Sequence, residues 1–223
     1  MKTLRNHSLS LVFLTLFLTS LIGQAIAGHA DYNNQQIAHM SETISFWRYV
    51  TSSDFGQAVM ENWQSEYLQF TTFILLTVWL VQKGSPESKE LDKVGRESEE
   101  EQKIGEHAAD RSPKWARVRG LRLWLYSNSL VFVMATIWVG TWFAQSVTGW
   151  TAYNAEQIDH QEQTLSWLGY LGSADFWQTT LQNWQSEFLA VGSMAVLAIY
   201  LRQRGSPESK PVGSPHDTTA ATG

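Results

Sequence analysis

Four long apolar stretches, separated by polar segments, set the pattern of this chain. Residues 9–27 read LSLVFLTLFLTSLIGQAIA without a formal charge. As a helix rising about 1.5 Å per residue this run reaches about 28 Å, enough for a bilayer core. A second stretch, residues 63–81, holds one carboxylate, Glu66; a third covers residues 123–144; a fourth, residues 184–201, contains Glu187. Lipid offers no partner to backbone N–H and C=O groups, so among such segments only helices satisfy themselves. The pattern predicts an all-α fold with four transmembrane helices. The first stretch has a second reading. Lys2 and Arg5 precede it and it closes on Ala25-Ile26-Ala27, the layout of a cleaved signal peptide, which would leave three spans.

A shift of 121 residues maps the first half of the chain onto the second without a gap: Tyr32 onto Tyr153, His39 onto His160, Asp54 onto Asp175, Trp63 onto Trp184. Over residues 28–89, 28 of 62 positions are identical to their counterparts in 149–210. Self-similarity that holds register this long marks two copies of one structural unit. The apolar runs drift most, whereas NWQSE recurs at 62–66 and 183–187, GSPESK at 84–89 and 205–210, and Y-N-x-x-Q-I-x-H at 32–39 and 153–160. Particular side chains recur, not hydrophobicity alone.

Charge orients the units. Of the 16 Lys and Arg, Arg48 alone lies within 9–81 and none within 123–201. Basic residues near membrane ends stay on the cytoplasmic side, so both termini and the linker are expected inside. The two intervening segments carry ten carboxylates and are expected outside. Each copy then reads as an in-out-in hairpin, the two running parallel, with helical outward-facing extensions. The domain division that follows is 1–81 for the first hairpin, 82–122 for a charged cytoplasmic linker, 123–210 for the second hairpin and 211–223 for a disordered tail. Within the linker, residues 89–110 suit a solvated helix or disorder. Residues 111–122 interleave Lys114, Arg117, Arg119 and Arg122 with Trp115, Val118 and Leu121, which suits an anionic inner leaflet.

Helix ends have their own signals. After Ala27 the pattern stays helical as far as His39, residues 45–50 suggest a short turn or helix, and a new helix is expected near Asp54. Ser53 or Asp54, and Ala174 or Asp175 in the second copy, mark the capping region of that helix. Gly84 and Gly205, followed by Pro86 and Pro207, are expected to close the inner ends. Of the 11 Trp, Trp47, Trp63, Trp150, Trp167, Trp177 and Trp184 fall near the expected outer interface and Trp79, Trp115 and Trp124 near the inner one, as an aromatic belt does.

With no Cys and a formal net charge of -5, disulfide scaffolds, thiol nucleophiles and Cys-ligated zinc are excluded, and nucleic-acid binding has no support. No Walker A, dinucleotide-binding or G-x-S-x-G pattern occurs, so no cofactor is expected and enzymatic activity is not favoured. The polar residues that carry chemical interest lie inside the apolar stretches. Glu66 falls about 22 Å from the inner edge of its span, and Gln24, by the same arithmetic, at the same depth. Asn62 stands one turn above Glu66, and Asn183 above Glu187. A Gln24-Asn62-Glu66 cluster in one hairpin and a Gln145-Asn183-Glu187 cluster in the other are expected. Intramembrane carboxylates are costly unless neutralised, hydrogen-bonded or wet. One reading has these clusters tie helices together; the other has Glu66 and Glu187 share a proton or bind a cation near a pseudo-twofold axis. His39 and His160 are further binding candidates, as ligands with Glu66 or Asp54, although their spacing matches no metal motif.

On the Y-N-x-x-Q-I-x-H, NWQSE and GSPESK blocks the chain resembles an uncharacterised family of bacterial multi-pass membrane proteins catalogued as a domain of unknown function. The resemblance covers residues 4–87 and 125–208 and implies a location and a topology; it transfers no catalytic residues. The expected function is that of a non-enzymatic inner-membrane scaffold, with the lipid bilayer, an envelope protein or a second copy of the chain as partner. The alternative is a small proton- or cation-coupled transporter or channel built on Glu66 and Glu187.

Overall fold

A computed structural model describes residues 2–221. The side chain of Lys2, one of the basic residues of the signal-peptide reading, lies outside the described residues, as do Thr222 and Gly223 of the expected tail. Among the described residues the chain is all-α, with eight α-helices, two short 3-10 helices and no strand. In order they are α1 (Lys2–Asn6), α2 (Ser8–Ala38), α3 (Phe46–Val50), α4 (Ser53–Leu76), α5 (Leu121–Ser127), α6 (Ser129–Asp159), α7 (Trp167–Leu171) and α8 (Ala174–Tyr200). Two of them, α2 and α6, each of 31 residues, are long and apolar enough to cross a membrane.

The chain divides into two compact units, Met1–Met60 with Ala144–Leu171 and Glu61–Phe143 with Gly172–Gly223. In the first unit α2 continues well past Ala27, as its pattern predicts, and α3 turns back onto it. The return is pinned by Asn33, whose Nδ2 donates to Ile44 O at 3.0 Å and whose Oδ1 accepts from Ile44 N at 2.9 Å. Asn154 does the same to Leu165, at 2.9 Å for each bond. Ring nitrogens reinforce both carbonyls: His29 Nε2 lies 2.8 Å from Ile44 O, and Trp150 Nε1 donates to Leu165 O at 2.7 Å. Beneath each turn a glycine admits a tyrosine. The phenol of Tyr49 lies against Gly28 and that of Tyr170 against Gly149, where a Cβ would sit 2.5 Å from the Tyr170 oxygen. Burial, then Asp54 and Asp31, push the Tyr49 phenol above its ordinary pKa, so the ring stays neutral where it packs.

The second unit contains the body of α4, the linker, α5, the first half of α6 and all of α8. The third apolar stretch, expected as one span from residue 123, is broken between α5 and α6. There Asn128 Nδ2 donates to Trp124 O at 2.7 Å, beside the backbone bond from Asn128 N at 3.2 Å, and Ser129 Oγ donates to Tyr126 O at 2.7 Å. The counterpart break in the first copy separates α1 from α2 at His7, where Ser8 Oγ donates to Arg5 O at 3.1 Å.

Helix starts and ends also differ in detail from expectation. The caps lie one residue before the expected sites: Ser52 Oγ accepts from Phe55 N at 3.3 Å and Ser173 Oγ from Phe176 N at 3.2 Å. Asp54 and Asp175 fall in the first turns, where their charge complements the dipole. At the other end α4 stops at Leu76, short of Val81. Thr77 Oγ1 turns back to Phe73 O at 2.8 Å, and the chain proceeds in turns. Past Tyr200, Arg202 Nη1 folds back on the last carbonyls of α8, donating to Ile199 O at 3.0 Å. Gly84 and Gly205 do take left-handed backbone, φ 86° and 83°, but they lie in turns beyond the helix ends and do not close the helices.

The linker from 89 to 110 forms turns and one short 3-10 helix at Gly105–His107, not a solvated α-helix. Residues 211–220, expected as part of a disordered tail, run in turns and bend back on Gly84 and Ser85: Gly84 N donates to Thr219 Oγ1 at 2.9 Å and Ala220 N to Ser85 O at 3.1 Å. Intrachain partners for otherwise unpaired backbone groups are the physical reason this polar segment adopts one path.

Candidate functional site

The recurring NWQSE motif places its side chains on a seam between α4 and α8. On α4, Gln64 and Ser65 are 0% and 1% exposed, and Leu68 and Thr71 are buried beside them. Their spacing, i, i+1, i+4, i+7, is one face of a helix. Across the seam Trp184 Nε1 donates to Gln64 Oε1 at 2.8 Å, and Asn183 Nδ2 donates to Glu61 Oε1 at 3.3 Å and to Thr179 O at 3.0 Å. The Ser65 hydroxyl reaches both Asn62 O, at 2.9 Å, and the Glu187 carboxylate. It has one proton and serves one acceptor at a time. Glu66 is exposed and close enough to the half-buried Glu187 to repel it.

The expected clusters are therefore regrouped. Asn62, Glu66, Asn183 and Glu187 share the second unit; Gln24 and Gln145 belong to the first, Gln24 exposed and Gln145 2% exposed with no hydrogen-bond partner for its Oε1 among the described residues. Gln64 and Glu61 are seam residues outside the expected clusters. For Gln64 the available signal was its recurrence inside NWQSE. The seam does not mirror itself: Gln185, the counterpart of Gln64, is exposed.

His39, expected as a ligand with Glu66 or Asp54, lies in the first unit with Asp54, and Glu66 belongs to the second. His39 meets its own counterpart: the rings of His39 and His160 lie 6.4 Å apart at 70°, both exposed and at the C-terminal ends of α2 and α6, with N–H groups bonded to Gln35 O and Glu156 O. Among the described residues no three His, Cys, Asp or Glu side chains converge as metal ligands would. Aromatic rings extend the α8 side of the second unit, where Trp142 packs on Phe176, Trp177 and Trp184 at 5.6–6.2 Å and stacks on Trp138 at 6.0 Å.

The two GSPESK motifs fold alike. Ser88 Oγ accepts from Gln82 N at 2.8 Å and Ser209 Oγ from Gln203 N at 2.9 Å, while Ser85 and Ser206 cap Glu87 N and Glu208 N at 3.3 and 3.2 Å. The terminal lysines both reach carbonyls. Lys89 Nζ donates to Gly95 O at 2.6 Å and pairs with Glu97; Lys210, 1% exposed, donates to Gly84 O at 2.7 Å and to His216 O at 2.9 Å. Burial, then the Arg202 guanidinium, pull the Lys210 pKa down, with Asp217 opposing. These bonds explain the recurrence of both serines without recourse to modification.

Burial and the neighbouring Glu208 raise the Glu87 carboxyl above the ordinary carboxylate range. A carboxyl whose folded pKa is raised costs stability when ionised, and that cost is relieved as pH falls through the folded value. Glu87→Gln is thus expected to raise the melting temperature at pH 7 and to lose that advantage near pH ~4, where the native carboxyl is largely protonated. Thermal melts at the two pH values check it; an equal effect at both would remove the electrostatic explanation.

The sequence profile of one family, described as Domain of unknown function (DUF6766), matches residues 1–221. No curated protein and no solved structure matches the chain.

Proposed function

We propose that this chain, which belongs to the DUF6766 family, is a non-enzymatic integral membrane scaffold, with four helices in the bilayer and two acidic tips outside that bind an envelope partner or a second copy of the chain. Both termini and the linker then lie in the cytoplasm, and the two copies form parallel hairpins. Support for the lipid environment comes from α2. Its apolar side chains are exposed along nearly its whole length, Leu9 at 72% and Phe13 at 63% among them, and only Ala25 is buried. Apolar surface on that scale is unfavourable in water.

The observation that carries the scaffold reading is where the polar side chains of the seam go. Trp184 is spent on Gln64, Asn183 on Glu61, and Glu187 is within reach of Ser65. Interhelical hydrogen bonds of this kind hold helices together in lipid. One observation favours the transporter reading, the closeness of Glu66 to Glu187, since two carboxylates that repel each other can share a proton or a cation.

The double variant Glu66→Gln with Glu187→Gln separates the two. On the scaffold reading it accumulates in membranes at the wild-type level and melts at or above the wild-type temperature, because a like-charge pair has been removed. Proteoliposomes of wild-type protein then show no proton or cation flux that the variant lacks. Flux present in the wild type and abolished in the variant would replace the scaffold reading with the transporter.

A further inference from the structure

The second unit contains a cavity of about 600 Å³ between the end of α4, the linker and the start of α6. Its size is that of a site for one drug-sized ligand. Its apolar lining includes Val78 and Trp79 after α4 and Leu123 and Trp124 of α5; its polar lining, from the linker, includes Arg96 and Glu99. Both indoles are about half exposed, Trp79 at 50% and Trp124 at 48%, and both lie where the inner membrane interface is expected.

The charges on the polar wall are unequally committed. Glu97, which also lines the cavity, is held by Lys89 and by Gln102 Nε2 at 3.0 Å. Arg96 and Glu99 make no side-chain hydrogen bond or salt bridge with other described residues. A free guanidinium suits a phosphate diester, which it binds through paired N–H groups, and a free carboxylate suits an ammonium that can donate hydrogen bonds. An ethanolamine phospholipid offers both groups on a two-carbon spacing together with a chain for the apolar wall, without the extra carboxylate of a serine headgroup that Glu99 would repel.

We infer that this cavity binds a single phospholipid with a primary-amine headgroup, a phosphatidylethanolamine, its phosphate on Arg96, its ammonium on Glu99 and an acyl chain along Val78, Trp79, Leu123 and Trp124. The inference rests on the membrane reading above. It goes further by selecting among lipids: a choline headgroup has no N–H to donate to Glu99, and a glycerol headgroup brings no cation. Basic pockets at the inner face of membrane helices are known to select headgroups; here the acidic partner sharpens the choice.

The test is lipid retention by the full chain, purified from membranes and exchanged into nanodiscs of phosphatidylcholine doped with equal trace amounts of phosphatidylethanolamine and phosphatidylglycerol, read by native mass spectrometry. The expected result is enrichment of phosphatidylethanolamine over phosphatidylcholine by about tenfold, the effect of one charge-assisted hydrogen bond. Glu99→Gln is expected to abolish the preference while lipid stays bound, and Arg96→Gln to weaken retention of all three lipids. Both positions are at the surface of a linker, so the variants should fold; Lys103→Gln, outside the cavity, is the control and should change nothing. Equal retention of the three lipids by the wild type, a preference for phosphatidylglycerol, or indifference to both variants would overturn the inference while leaving the membrane reading intact. A chain released from membranes by alkaline carbonate without detergent would overturn the membrane reading, and this inference with it.

Discussion

Gly149→Ala is expected to destabilise the protein by about 1–3 kcal/mol, the usual cost of forcing a methyl group into a filled space. A Cβ there would sit 2.5 Å from the phenol oxygen of Tyr170 and 3.3 Å from its ring carbon. Tyr170 is 1% exposed. The cost should shrink when the same change is made in a Tyr170→Phe background, because the oxygen that clashes is gone. A double-mutant cycle from thermal or denaturant melts in detergent measures this coupling. Gly149→Ala melting with the wild type, or the same loss in both backgrounds, would show that the glycine does not seat the tyrosine. Gly28, with the Tyr49 phenol against it, should behave in the same direction.

The second large effect is expected at Asn154. Its amide closes a ring with one residue, giving a hydrogen to Leu165 O and taking one from Leu165 N. Asn154→Ala leaves Leu165 N without its acceptor in a half-buried turn, a loss of about 1–3 kcal/mol. Trp150 still donates to Leu165 O, so the carbonyl keeps one partner and the turn should loosen without unfolding. Amide exchange at Leu165 should rise at least tenfold, the equivalent of about 1.4 kcal/mol. Protection unchanged in the variant would contradict the role assigned to the asparagine.

Much of this architecture can be read from residue order, for physical reasons that differ from element to element. The apolar runs specify helices because their length and composition leave little else. The return after α2 and the restart at α4 follow from polar residues and serine caps near Asp54 and Asp175. Other features were present as signals but not as roles. Gly28, Tyr49, Asn33 and their counterparts all recur at the same offset, yet recurrence does not say that a glycine makes room for a phenol 21 residues later. That is a contact in space.

Competition between weak local terms is less legible. Asn128 sits in an apolar run that could continue as helix, and the one-residue break between α5 and α6 falls on it. The seam was hidden for a different reason. A repeat suggests equal duties for equal residues, but Trp184 of one copy takes Gln64 of the other while Gln185 stays exposed. Two copies of one motif packed on each other meet with different faces, so identity of sequence does not imply identity of contact.

The central claim is that lipid is the solvent for both copies and that their tips face away from the cytoplasm. The chain has no cysteine, so single cysteines replacing Ser41, Glu162 or Glu100, all exposed positions, report directly to a membrane-impermeant maleimide in intact cells. Labelling at 41 and 162 in intact cells, with 100 reactive only after permeabilisation, is the result predicted. Labelling at 100 in intact cells with 41 and 162 protected would contradict it.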